Sequence, residues 1–316
     1  MKKYVLFFVL LFLGHQGYSG FDFFSEGYFE VYDGCYFKKC PPGVFFARVS
    51  AGLQPNATAE EKAVSEKIIA NLRRLDLSNQ QLSEFPLVIT ELVNLSTLIL
   101  SGCGISTLPD EIGKLTKLYS LKLQNNPITK FPDEIGKLTD LHFLDISNCK
   151  LTEFPENILN LVKLQKLNAA QNSIKSLPLG FGKLNISELC LSNNCFFEFP
   201  REILSLRYVR YIGFAYNNIA FLPHDMWRLS RSKCYNSWVT LNLCGNKLTH
   251  LQEQERDFLK EIKISLGENP LPGLEHNPNS GLISSIFLLP PKARKEYVKM
   301  VMENFHHDSD GRPKSR

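Results

Sequence analysis

From Leu72 onward, apolar and polar positions follow one recurring order. Leu72, Leu75 and Leu77 are followed by Gln80, Leu82, Phe85 and Pro86. Leu95, Leu98, Leu100, Cys103, Ile105, Leu108 and Pro109 repeat that order, as do Leu118, Leu121, Leu123, Asn126, Ile128, Phe131 and Pro132. Further copies start at Leu141, Leu164, Ile186, Val209 and Trp238, and a ninth starts at Glu261 and ends at Leu271. The intervals are 23, 23, 23, 23, 22, 23, 29 and 23 residues, too regular to arise by chance. In L-x-x-L-x-L the last two apolar residues alternate with outward ones, which predicts a strand with one buried face. The later L/F-P and I-x-x-L positions fill the opposite side, and Asp110–Thr116 and Asp133–Thr139 are the identical string DEIGKLT. No copy buries its apolar stripe alone. Stacking makes the core, at roughly 1.5–3 kcal/mol per large side chain buried.

Three residues past the last strand leucine, a polar or thiol side chain recurs: Gln80, Cys103, Asn126, Cys149, Asn172, Asn194, Asn217, Asn246 and Asn269. An amide buried there satisfies backbone groups of the turn leaving the strand. This phrase is identified as a leucine-rich repeat, and L-P-x-x-I-x-x-L resembles the small intracellular Ras-suppressor and Ras-scaffold type. The resemblance implies an α/β solenoid, a horseshoe of about nine repeats with parallel strands on its concave face. It also implies a protein-binding scaffold, with a small GTPase, kinase or phosphatase as partner in signalling.

Outside the repeat the pattern changes. Met1-Lys2-Lys3, an unbroken apolar run from Tyr4 to Leu13 and small residues through Ser19 predict a secretory signal over residues 1–19. Ten apolar residues are too few for a transmembrane span, which needs about 20. Residues 20–57 form an aromatic-rich segment, in which Asp33-Gly34 between two aromatic runs favours a hairpin. Thr58-Ala59-Glu60-Glu61 reads as a capping box that opens a capping helix over residues 58–70. The solenoid then covers residues 71–273. Residues 274–316 read as a linker, a helix with Ala293, Tyr297, Val301 and Phe305 on one stripe, and a mobile tail.

Charge and cysteine usage refine the picture. Lys plus Arg total 36 against 32 Asp plus Glu, a balance that argues against a nucleic-acid partner. Of eight cysteines only Cys35 and Cys40 are spaced to pair within a loop, and extracellular relatives of the repeat usually carry cysteine-rich caps. Two compartments therefore stay open: the secretory pathway or extracellular space from the leader, and the cytoplasm from the repeat type and its unpaired thiols. Asn56, Asn94 and Asn185 open glycosylation sequons.

No H-E-x-x-H, C-x-x-C or phosphate-loop spacing occurs, so no catalytic, metal or cofactor residues are expected. The expected activity is non-enzymatic capture of a protein partner on the concave face. Its candidate contacts are Arg74, Asp76, Lys122, Phe143, Asp145, Lys166, Asn168, Glu188, Tyr211 and Tyr216, charges interspersed with exposed aromatics. A secreted or surface ligand-binding protein is the alternative, and a subunit of an enzyme complex is a third class. The lengthened interval, Arg228 to Trp238, places Arg228, Arg231 and Lys233 beside an indole, and reads as a tolerated surface insertion ahead of a docking site.

Overall fold

The computed structural model describes residues 29–31, 35–37, 53–231, 239–251 and 262–271. The leader, the Cys35–Cys40 pairing, most of the lengthened interval and the C-terminal stripe lie outside the described residues. Within the aromatic segment, β1 (Phe29–Val31) pairs antiparallel with β2 (Cys35–Phe37), as the intervening Asp33-Gly34 predicts.

Each copy contributes one three-residue strand centred on its second apolar position. These are β3 (Arg74–Asp76), β4 (Thr97–Ile99), β5 (Ser120–Lys122), β6 (Phe143–Asp145), β7 (Lys166–Asn168), β8 (Glu188–Cys190), β9 (Tyr211–Gly213), β10 (Thr240–Asn242) and β11 (Lys263–Ser265). They follow one another in sequence order in a single open sheet. The chain divides into two compact units, Met1–Leu144 and Asp145–Arg316.

In the first unit, Leu75, Leu98 and Leu121 stand in register and are fully buried. Helix α1 (Ala59–Asn71) precedes β3 and is opened by the predicted capping box. The Thr58 side chain accepts from the Glu61 N–H at 3.2 Å, and Glu61 Oε2 accepts from the Thr58 N–H at 2.8 Å. Ser65 and Ile68 are the buried residues of α1. Its last carbonyls, at Ile69 and Ala70, each accept from Asn94 Nδ2 at 3.4 Å, so this sequon asparagine is engaged in joining helix to repeat.

In the second unit Leu167, Leu189, Ile212, Leu241 and Ile264 form the same buried row. On the opposite side of the first seven copies, the chain turns after proline into a short 3-10 helix such as Asp110–Lys114 or Glu156–Asn160. Proline suits the start of such a turn because it lacks the N–H that would be unsatisfied there. Its carbonyl accepts the turn's first bond, Ile112 N–H to Pro109 O at 3.1 Å in one copy.

The polar position after each strand works as a bridge between copies. Asn126 Oδ1 accepts from the N–H groups of Cys103 and Ile105, both at 3.0 Å, while its Nδ2 donates to Leu100 O and Leu123 O at 2.7 Å. Asn194, Asn217, Asn246 and Asn269 are buried in the same arrangement, and Asn172 makes it half-buried. Gln80 is the exception. It is exposed, because the first copy has no preceding turn to close. Cys103 keeps the donor side of the bridge, its thiol donating to Leu77 O at 3.1 Å, and its sulfur lies against the backbone N–H groups of Gln80 and Asn79. The Leu82 N–H instead meets the Cys103 carbonyl at 3.0 Å, and Ser83 next to it turns to φ 62°.

The residue just before this bridge is left-handed in all nine copies, with φ from 49° at Asn148 to 65° at Gly102 and Gly245. Asparagine and glycine tolerate that conformation best. They fill six of the nine positions, and the other three hold Gln171, Tyr216 and Glu268.

Candidate interaction face

The outward residues of the strands alternate with the buried row, so their direction follows from the same apolar spacing that builds the core. What they do differs between the two units.

In the first unit, Arg74 and Asp76 are exposed and pair with each other at 3.2 Å. Asp76 Oδ1 also accepts from the Ser78 N–H at 3.1 Å and Ser78 Oγ at 2.6 Å, closing the turn that leaves β3. Lys122 is exposed. Ile99, although outward by alternation, is buried, as are its neighbours Ser101 and Ser120, so little of this stretch is open to a partner. Phe143 belongs to an aromatic group that the spacing rule did not point out. The Tyr119 ring stacks on His142 at 4.3 Å and leans on Phe143 at 5.1 Å. The rings stand at equivalent or adjacent positions of successive copies, and aligning the copies column by column is the signal that exposes them.

The second unit carries six of the ten candidate contacts. Asp145 repeats the Asp76 arrangement, accepting from the Ser147 N–H at 3.0 Å and Ser147 Oγ at 2.7 Å, and its Oδ2 accepts from Asn168 Nδ2 at 3.2 Å. Asn168 Oδ1 accepts from the Ala170 N–H at 3.3 Å. Three of the candidate contacts, Asp76, Asp145 and Asn168, therefore also hold their own turns. Lys166 and Glu188, both about half exposed, pair across β7 and β8 at 2.6 Å. Tyr211 rises from β9 over Gly213, where a Cβ would stand 3.1 Å from the Tyr211 hydroxyl and 3.2 Å from Cys190 Sγ and Ser192 Oγ. Its hydroxyl also bonds the Asn242 side chain. Burial, then the Cys190 charge, push the Tyr211 phenol pKa up, and the Asn242 bond pulls it the other way. Tyr216 stands at the turn after β9, half exposed, with its hydroxyl donating to Glu268 Oε1 at 3.2 Å.

Five cysteines among the described residues form no disulfide: Cys103 and Cys149 buried, Cys190, Cys195 and Cys244 half-buried. Burial raises the pKa of the Cys103 and Cys244 thiols, which disfavours the reactive thiolate. Among the described residues, no group of three or more His, Cys, Asp or Glu side chains is placed to hold a metal ion. No helix among them is long and apolar enough to cross a membrane. What the open face offers is a fixed array of paired charges, amides and ring surfaces, suited to recognition.

A family model of the leucine-rich repeat region matches residues 60–139 and 111–191. No curated protein matches the chain in sequence. Among solved structures, an internalin from Listeria monocytogenes superposes with a TM-score of 0.53 at 20% identity, covering 67% of this chain and 59% of that one. The plant peptide hormone receptor RGFR1 in complex with RGF2 gives 0.53 at 23% identity, over 68% of this chain and 38% of the receptor. TLR13 in its complex with ssRNA13 gives 0.50 at 22%, over 63% of this chain and 27% of that one. The chain thus spans 59% or less of each of these proteins, and at such identities the likeness is one of fold.

Proposed function

We propose that this chain, which carries a leucine-rich repeat region, is a non-enzymatic scaffold or adaptor that binds a protein partner on the outward face of its strands. Folds of this kind commonly mediate protein–protein interaction, since stacked copies present an extended surface on a rigid core. One observation carries the reading. In the second unit, Tyr211, half-buried over Gly213, stands two strands from Lys166, whose pairing with Glu188 holds its ammonium in place. An aromatic anchor fixed beside oriented charges is the usual composition of an interface hot spot. The face carries mixed charge, which favours a protein over a nucleic acid.

The resemblance to the Ras-suppressor type supports a role in signal transduction, with a small GTPase, kinase or phosphatase as partner. The leader-like residues 1–19 favour the other setting, a secreted or surface protein that meets a receptor ectodomain. N-terminal sequencing of the protein from its own cells separates the two: a start near Gly20 supports the secretory reading, and an intact Met1 removes it.

The binding reading is tested by affinity capture from those cells. Tyr211→Ala with Lys166→Ala reduces the captured partner, while Lys183→Ala with Arg201→Ala, exposed positions on the 3-10 side, leaves it unchanged. Equal capture by both double variants, each with an unaltered circular dichroism spectrum, rules out the outward face.

A further inference from the structure

Copies seven and nine depart from plain turn chemistry in a correlated way, with a glycine copy between them. At the left-handed position before the bridge, copies seven, eight and nine carry Tyr216, Gly245 and Glu268. A tyrosine or glutamate is disfavoured there, because a β-carbon and a bulky side chain crowd the neighbouring carbonyl. Asparagine relieves the crowding and stands at this position in four other copies, Asn79, Asn125, Asn148 and Asn193. Two of the three residues that break the rule bond to each other. The Tyr216 hydroxyl donates to Glu268 Oε1 at 3.2 Å across 52 residues of sequence.

The intervening copy makes this possible. A Cβ at Gly245 would collide with Tyr216 Cδ1 and stand 2.7 Å from Cε1, so the ring lies across the glycine backbone. Any other residue at 245 would push the ring off. The product is a half-exposed aromatic surface ending in an exposed carboxylate. No lysine or arginine among the described residues pairs with Glu268. The hydrogen bond to Glu268, and then its charge, push the Tyr216 phenol pKa up, which keeps the ring neutral.

We propose that Tyr216, Gly245 and Glu268 form a subsite for a cationic side chain, arginine or lysine, of the protein partner. The inference rests on the protein-binding reading above and adds the partner's chemistry. A ring face attracts a cation through its quadrupole, and a planar guanidinium also stacks on it. The carboxylate at the ring's far end neutralises the charge and accepts its N–H groups. Tyr216 fixes the plane on which the cation lies, and Glu268 fixes the direction in which it points. Strain retained at two turn positions and a glycine retained between them are explained together by this role.

The test uses the full chain and an acetylated tetraarginine peptide, with tetracitrulline as its neutral isostere, read by the ring resonances of Tyr216 in protein carrying ring-labelled tyrosine. Tetraarginine shifts the Tyr216 signals and tetracitrulline does not. Glu268→Gln weakens tetraarginine binding by roughly five-fold, the scale of one partly exposed cation–π or ion-pair contact. Tyr216→Asn, followed by titration calorimetry, weakens it similarly while folding at least as well as the parent, because asparagine suits the turn. Unchanged affinity in both variants, or equal binding of tetracitrulline, overturns the subsite. Tyr211→Ala with Lys166→Ala leaves tetraarginine binding intact. Loss of the subsite and loss of the strand-face reading are therefore separate results.

Discussion

Replacing Asn194 by alanine removes one bridge between copies and leaves the surrounding backbone in place. Asn194 is 6% exposed. Its Oδ1 accepts from the Ile174 N–H at 3.0 Å, and its Nδ2 donates to Ala169 O at 2.9 Å and Leu191 O at 3.0 Å. Alanine supplies none of these, and the site lies too deep for water to replace all three. At about 1–1.5 kcal/mol for each buried hydrogen bond, the expected loss is about 3–4 kcal/mol of unfolding free energy. Asn194→Cys is the informative companion, since Cys103 shows what a thiol does at this position. It donates to the preceding strand's carbonyl, as Cys103 does to Leu77 at 3.1 Å, and offers sulfur, a weak acceptor, in place of the amide oxygen. The cysteine variant should therefore lose about two-thirds as much as the alanine variant, because one of the three bonds survives. Urea unfolding followed by circular dichroism measures both values, and hydrogen exchange at the Ile174 amide reports the exposed donor directly. A loss below about 1 kcal/mol for alanine, or equal losses for alanine and cysteine, would refute the bridging account.

Two further perturbations probe other parts of the core. Gly182 and Gly113 occupy the same position of different copies, but a Cβ at 182 would meet the Glu202 carbonyl and stand 2.5 Å from Ser205 Cβ. At 113 the nearest atoms lie at 3.0–3.1 Å. Gly182→Ala should lower stability by about 1–3 kcal/mol and Gly113→Ala by clearly less, compared by thermal melting, and the reverse order would contradict the packing. Thr58→Ala opens the capping box and should lower the stability of α1 by about 1 kcal/mol, seen as faster amide exchange in its first turn. The Glu61 pKa is lowered by its bonds to Thr58, so their contribution is present above the ordinary glutamate range and fades as pH falls through the folded value. In Thr58→Ala that acid-side loss of α1 protection should shrink; an unchanged pH profile would assign it to other groups.

The repeat, the strand centres and the bridging asparagines were legible in the sequence because each obeys a rule local to one copy. Leu189 is buried and Glu188 exposed for reasons visible within three residues. The 3-10 geometry after proline was not legible, since apolar spacing fixes which side is buried and says little about how tightly a single turn winds. Gln80 shares its column with the asparagines yet is exposed, because burial there depends on having a copy in front. Among the candidate contacts, Asp76 and Asp145 turned out to hold Ser78 and Ser147. A carboxylate two residues before a serine carries that signal, but outward direction alone does not distinguish a turn-holding acid from one free to bind. Tyr216 stood out as an aromatic. Its dependence on Gly245 and Glu268 emerges only when equivalent positions of neighbouring copies are read across.

The bridging asparagines also give the stack a direction. Each one closes the turn of the copy before it: Asn126 accepts from Cys103 and Ile105, and Asn194 from Ile174. A copy is therefore completed only when its successor arrives, about 23 residues later. During synthesis, which proceeds from the N-terminus, the newest copy always carries open N–H groups, and each successor closes them and opens its own. The deficit travels with the growing end without accumulating behind it. Folding on the ribosome can thus keep pace with translation one repeat at a time.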